Sequence, residues 1–139
     1  MSVNTVRVVL GGLLAGLVMN IGEIIFNDMI LGAQMKSWLA AHNFAEPGGT
    51  FVALTVGLTF VMGIVIVLTY ALIRPRLGPG VKTAIVAGLI AWFACCVYVG
   101  IINGVLFGLS ANVIGLAIVW GLIEYTLAAI VGAWAYKEA

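Results

Sequence analysis

Four uninterrupted apolar runs, at 8–27, 50–73, 83–108 and 111–136, constrain this chain more than any motif in it. Each is long enough to cross ~30 Å of hydrocarbon as a helix, which takes about 17 to 25 residues. The second and third runs carry no charged residue, the first carries Glu23 and the fourth Glu124. Backbone groups in lipid must be satisfied internally, and these runs are too long and too evenly apolar for barrel strands. The expected fold is therefore all-α: one integral membrane domain built as a four-transmembrane-helix bundle. Composition agrees, since 64% hydrophobic and 8% charged residues exclude a water-soluble domain. A formal net charge of +1 offers no basic field for nucleic acid. One His and the adjacent pair Cys95 and Cys96 supply neither a zinc set nor a dithiol centre, and no Ser-His-Asp arrangement stands out. The sequence therefore predicts no catalytic residue, no metal site and no cofactor.

The connections carry the punctuation. Pro47 stands in Glu-Pro-Gly-Gly before the second span, and Pro75 and Pro79 fall between the second and third. Gly108, Leu109 and Ser110 leave only a tight turn between the third and fourth spans, which predicts an antiparallel hairpin. Arg7 followed by an apolar stretch has the look of a leader, but the small-residue cleavage pattern is missing, so a retained first span is expected. Arg7, Arg74, Arg76, Lys82 and Lys137 share one side of a four-span layout, and Lys36 lies alone on the other. That five-to-one bias predicts an inner (cell) membrane protein with both termini cytoplasmic and the 31–49 connection outside. Within that connection Met35, Trp38, Leu39 and His42 recur at helical spacing, which predicts a short interfacial helix with Trp38 as its headgroup-level anchor.

Small and polar residues share faces inside the spans. At 100° per residue, Gly12, Gly16, Asn20, Glu23 and Asn27 fall within an arc of about 80° on the first helix. Gly100, Gly104 and Gly108 repeat the four-residue spacing on the third, with Asn103 set between them, and Ala117, Gly121, Glu124, Ala128 and Gly132 line the fourth. Such glycine-zipper strips let helices approach closely and let a polar group meet its neighbour. The expectation is a centre that receives Asn20, Glu23, Asn103 and Glu124, with Asn27 close by. An ionised carboxylate in hydrocarbon costs at least ~2.5 to 3.5 kcal/mol. No Lys or Arg lies inside a span, so each Glu is expected to rest as a hydrogen-bonded acid or to face water. Interhelical glue and a proton or cation carrier are both chemically open to these groups. Cys95 and Cys96 point about 100° apart on a helix and are expected to be small packing residues.

The stretch Gly-Leu-Val-Met-Asn-Ile-Gly-Glu-Ile-Ile-Phe-Asn-Asp-Met-Ile-Leu-Gly-Ala-Gln-Met-Lys-Ser-Trp-Leu, with Gly-Leu-Ile-Ala-Trp and Ile-Asn-Gly-Val-Leu-Phe in the third span, resembles the small bacterial four-span proteins called domain of unknown function 1761. Where that family carries Trp-Tyr in its first span, this chain has Gly22 and Glu23. The resemblance implies the four-span layout and no assigned activity. Glu23 is also similar in placement to the first-helix carboxylate of the small multidrug resistance transporters, but the long outer connection and the additional Glu124 differ from their pattern. The function expected from these residues is that of a helix-packing accessory or structural subunit without catalysis. Its partners would be the bilayer and other membrane subunits or further copies of itself. The alternative is a small oligomeric proton-coupled transporter or channel using Glu23 and Glu124.

Overall fold

In a computed structural model the chain is described over residues 3–137, and those residues form helices joined by short connections. The order is α1 (Thr5–Ile24), a π turn (Ile25–Ile30), α2 (Gly32–Ala41), α3 (Gly49–Leu77), α4 (Val81–Trp92), a second π turn (Phe93–Tyr98), α5 (Val99–Leu106) and α6 (Ala111–Ala135). Each π turn is continuous with its neighbours, so four helical rods result: Thr5–Ile30, Gly49–Leu77, Val81–Leu106 and Ala111–Ala135. With mean hydropathy from 2.0 to 2.7, all four are long and apolar enough to cross a membrane. The molecule has the form of a multi-pass membrane helical bundle.

Local chemistry sets the ends. Asn4 caps α1 by accepting a hydrogen bond from the Arg7 amide at 3.1 Å, and Ser110 caps α6 by accepting from Val113 at 3.3 Å. The third rod ends in a Schellman turn: Leu109 N–H reaches the Gly104 carbonyl at 2.8 Å and Gly108 N–H reaches Val105 at 3.2 Å. That turn requires the left-handed backbone that Gly108 adopts at φ 66°. Gly108 is thus a turn residue rather than the packing residue expected of it, and its absent side chain faces open space. Pro75 also departs from expectation, because α3 runs past it to Leu77. A proline this close to a helix end removes one bond of the last turns and leaves the rest intact.

α1 is the shared wall of the bundle. One of its sides meets α3 running antiparallel: Gly12 lies on the backbone of Ile64, and a Cβ at Gly16 would stand 2.7 Å from the Phe60 Cα. Gly63 answers from α3, seated on the backbone of Gly12 and Gly16. The adjoining side meets α6, where a Cβ on Gly11 would stand 2.6 Å from the Gly132 carbonyl oxygen and one on Gly132 would stand 3.0 Å from the Ala15 Cβ. α4 packs on the other flank of α6, with Gly88 against Tyr125 and Ala129, and Trp92 Nε1 donates to the Ile118 carbonyl at 2.8 Å. Glycine removes the atoms that would hold two helices apart, so backbone meets backbone and dispersion contacts multiply.

Burial is uneven along the rods. The end that carries both termini is closed: Ala15, Ile66, Val67, Ala87, Ala128 and Ala129 are fully buried. Polar ties seal it, since Tyr136 Oη accepts from the Asn4 amide at 3.3 Å, packs edge-on against Tyr70 and lies beneath the Arg74 guanidinium. Tyr70 Oη in turn accepts from Gly80 at 3.2 Å. At the opposite end, beside α2, the first ten residues of α3 are all exposed, and so are most of α5 and the π turn after α1.

This asymmetry yields a direct comparison of two glycines. Alanine is favoured over glycine in a helix by about 0.5 to 1 kcal/mol, and Gly57 faces open space. Gly57→Ala should therefore leave thermal stability in detergent unchanged or slightly raised. Gly16→Ala should lower it by about 1 to 3 kcal/mol through overpacking against Phe60. Equal behaviour of the two variants would mean that α1 and α3 are not in backbone contact.

Candidate functional site

The polar residues of the spans make contacts between helices and bonds within one helix. Asn20 Nδ2 donates to the carbonyl of Gly16 at 2.9 Å on its own helix and to Val56 of α3 at 3.5 Å. It therefore continues the Gly12 and Gly16 seam as a polar stitch. Asn27 donates to the Glu23 carbonyl at 2.8 Å and to Glu23 Oε2 at 2.7 Å, which steadies the Glu23 carboxyl from one turn further on.

Glu124 is the most deeply placed of these groups, at 4% exposure. Its carboxyl occupies the notch left by Gly22, where a Cβ would collide with it. Oε2 accepts from Trp120 Nε1 at 3.0 Å, one turn earlier on α6. The Trp120 ring is held in turn by Phe26, stacked at 5.6 Å between centroids. Oε1 is buried without a hydrogen-bond partner. Glu23, next to Gly22, is the neighbouring carboxyl across the α1 and α6 contact. Gly22, Glu23, Phe26, Trp120 and Glu124 thus form one constellation, centred on a buried carboxyl with one oxygen satisfied.

Asn103 does not join it. The Asn103 side chain is exposed and donates only to Val99 of its own helix at 3.0 Å. Asn103 stands about 100° round the helix from Gly104, and the π turn at Phe93–Tyr98 that precedes both takes up about one extra residue, or roughly 100° of phase. At a uniform 100° per residue, Gly88 and Gly104 would face nearly opposite ways, yet both pack on α6, Gly104 against Ile114 at 2.7 Å. With Gly104 turned inward, its neighbour Asn103 is turned out. Gly100, expected on the same packing strip, has no neighbour within 4 Å of its Cβ position. Gly121 packs against Cys96, Ala128 is fully buried and Ala117 is half-buried. Gly11, Gly22, Gly63 and Gly88 were not singled out by the sequence, although each is in backbone or carboxyl contact.

At the α2 end, Trp38 is half-buried, stacked on His42 at 4.3 Å and on Phe44 at 5.7 Å. His42 Nδ1 lies 2.8 Å from the Trp38 carbonyl. A groove of about 510 Å³ runs between α2 and the turn joining α5 to α6, lined by Leu31, Met35, Trp38, Leu109 and Val113 among others. Among the described residues no group of three His, Cys, Asp or Glu side chains is placed to hold a metal ion.

The fold and this constellation define a class, a helical membrane bundle with a buried carboxyl at a glycine notch. No family model, curated protein or solved structure matches the chain.

Trp120→Phe keeps the ring against Phe26 and removes the indole N–H that donates to Glu124 Oε2. The expected loss is about 1 to 3 kcal/mol of stability, the penalty for leaving a buried polar group unsatisfied. In a Glu124→Leu background the same substitution should be nearly silent, giving a coupling of at least ~0.5 kcal/mol in detergent unfolding. Additive effects would show that the two side chains do not act on one another.

Proposed function

We propose that the chain is an accessory or structural subunit of a membrane assembly, working by helix packing and without catalysis of its own. It would sit in the cell membrane with both termini cytoplasmic and α2 in the outer interface, its Met35, Trp38 and Leu39 side turned to the apolar layer. The observation that carries this reading is the set of small and polar residues at the α2 end that face open space or bond only within their own helix. Gly57, Gly100 and Gly115 face open space, Thr55 bonds only within its own helix and Asn103 is exposed within a span. An asparagine in lipid keeps an unsatisfied N–H and carbonyl, whereas a facing helix supplies partners worth about 0.6 to 2 kcal/mol per bond. A second copy or a different subunit packed at that end would meet that need.

A second reading, a small oligomeric proton-coupled transporter, rests on the burial of Glu124 beside Glu23. Packing alone predicts no pH-driven flux in liposomes.

Native mass spectrometry from lipid nanodiscs tests the proposal. The expected result is a fixed stoichiometry, either of this chain with itself or with a larger membrane complex, that Asn103→Leu reduces while the thermal stability of the isolated chain is unchanged. A monomer that Asn103→Leu does not alter would overturn it. A pH-gradient-driven flux that disappears in Glu124→Gln would replace it with the transporter.

A further inference from the structure

Helix packing alone has no use for a carboxyl at position 124. Gly22 is empty of a side chain where Glu124 lies, and an alanine or leucine pair would fill the same contact without desolvating an acid. The groups around Glu124 are limited in kind. From α1 comes Glu23, from the π turn after α4 come Cys95 and Cys96, and on α6 itself stand Trp120 and Tyr125. None is a cation at neutral pH.

An ionised carboxylate offers lone pairs on both oxygens and needs a donor for each. Glu124 has one, Trp120 Nε1 on Oε2, while Oε1 is buried and bare. A neutral carboxylic acid meets the same surroundings differently, because the O–H that it carries on Oε1 is itself a donor. The acceptor at hand is the Glu23 carboxylate, which Asn27 steadies through Oε2 at 2.7 Å. Glu23 is half-buried, while Asn27 and Asp28 beyond it are exposed, so this side of the notch opens toward the α2 end.

We propose that Glu124 and Glu23 form a two-carboxyl site that binds one proton, held on Glu124 Oε1 and exchanged with water through Glu23. In release, the O–H bond of Glu124 breaks as an O–H bond forms on Glu23, and Glu23 then gives the proton to water at the open end. Both carboxyls are left ionised and face one another across the α1 and α6 contact. Uptake is the reverse, and no electron moves. The ligand is the proton rather than a metal cation, because a cation would call for several oxygen ligands and the notch presents one free buried oxygen. This goes beyond the packing role and requires no transport.

Infrared titration of the purified protein in bilayers, from acid to alkaline, tests the site together with labelling by the apolar carboxyl reagent dicyclohexylcarbodiimide. The expected spectrum has a carboxylic acid carbonyl band that is lost on titration and is missing in Glu124→Gln. In Glu23→Gln, which leaves Glu124 in place, the band's midpoint should move by about tenfold or more in proton concentration, the mark of two groups sharing a proton. Mass spectrometry of the unsubstituted protein should find the carbodiimide adduct on Glu124. An adduct on neither residue, a band that Glu124→Gln leaves unchanged, or the same midpoint in Glu23→Gln would each overturn the shared site. Loss of the band on adding sodium or potassium at constant pH would overturn the proton as its ligand.

Discussion

Backbone contact between helices is the interaction on which this molecule depends. In lipid no hydrophobic gain comes from bringing apolar helices together, because the surrounding chains are as apolar as leucine. What holds a small bundle is then dispersion at close approach and the few polar bonds that close approach allows. α1 supplies both on two adjoining sides. Gly12, Gly16 and Asn20 meet α3, and Gly11, Ala15 and Gly22 meet α6. Without those glycines the helices would stand apart by a side chain, and Asn20 and Glu124 would both lose their places.

The same constraint explains why the two ends of the bundle differ. Alanine and glycine dominate the contacts near the termini, where Tyr70, Arg74, Tyr136 and Asn4 interlock. Toward α2 the first ten residues of α3 are all exposed, and the glycines there, Gly57, Gly100 and Gly115, face open space. The Glu124 notch lies between these regimes. It is closed from the terminal side by packed alanines, and it approaches the open side through Glu23 and Asn27. A buried acid at such a boundary can exchange with water without the core being breached.

Much of the fold is legible in the sequence, and the reason is the solvent. Four apolar runs of membrane length leave only helices, and the observed rods match the expected spans to within a few residues at most ends. The helix at Gly32–Ala41 was visible in the spacing of Met35, Trp38 and Leu39. Phase was less legible. A face read at 100° per residue holds until a π turn shifts it, and neither Ile25–Ile30 nor Phe93–Tyr98 has a sequence signature strong enough to announce the shift. Gly12, Gly16, Asn20 and Gly121, which precede a π turn or lie on an unbroken helix, stand on the contact faces read for them, whereas Asn103 and Gly100 stand in α5, most of which is exposed. Gly22 is not legible for another reason. Its role is to make room for a carboxyl from a distant span, and nothing in its own neighbourhood says which side chain will come.

The most direct measurement of the central claim is a carbon–carbon correlation spectrum of uniformly labelled protein in bilayers by solid-state magnetic resonance. Backbone contact between α1 and both of its neighbours predicts cross-peaks from Gly12 Cα to Ile64 Cα and from Gly11 Cα to Gly132 Cα, as strong as contacts within the α5 and α6 hairpin at Gly104 and Ile114. Hairpin cross-peaks without the two from α1 would contradict the account, because the first helix would then stand at side-chain distance and the notch that holds Glu124 would not exist.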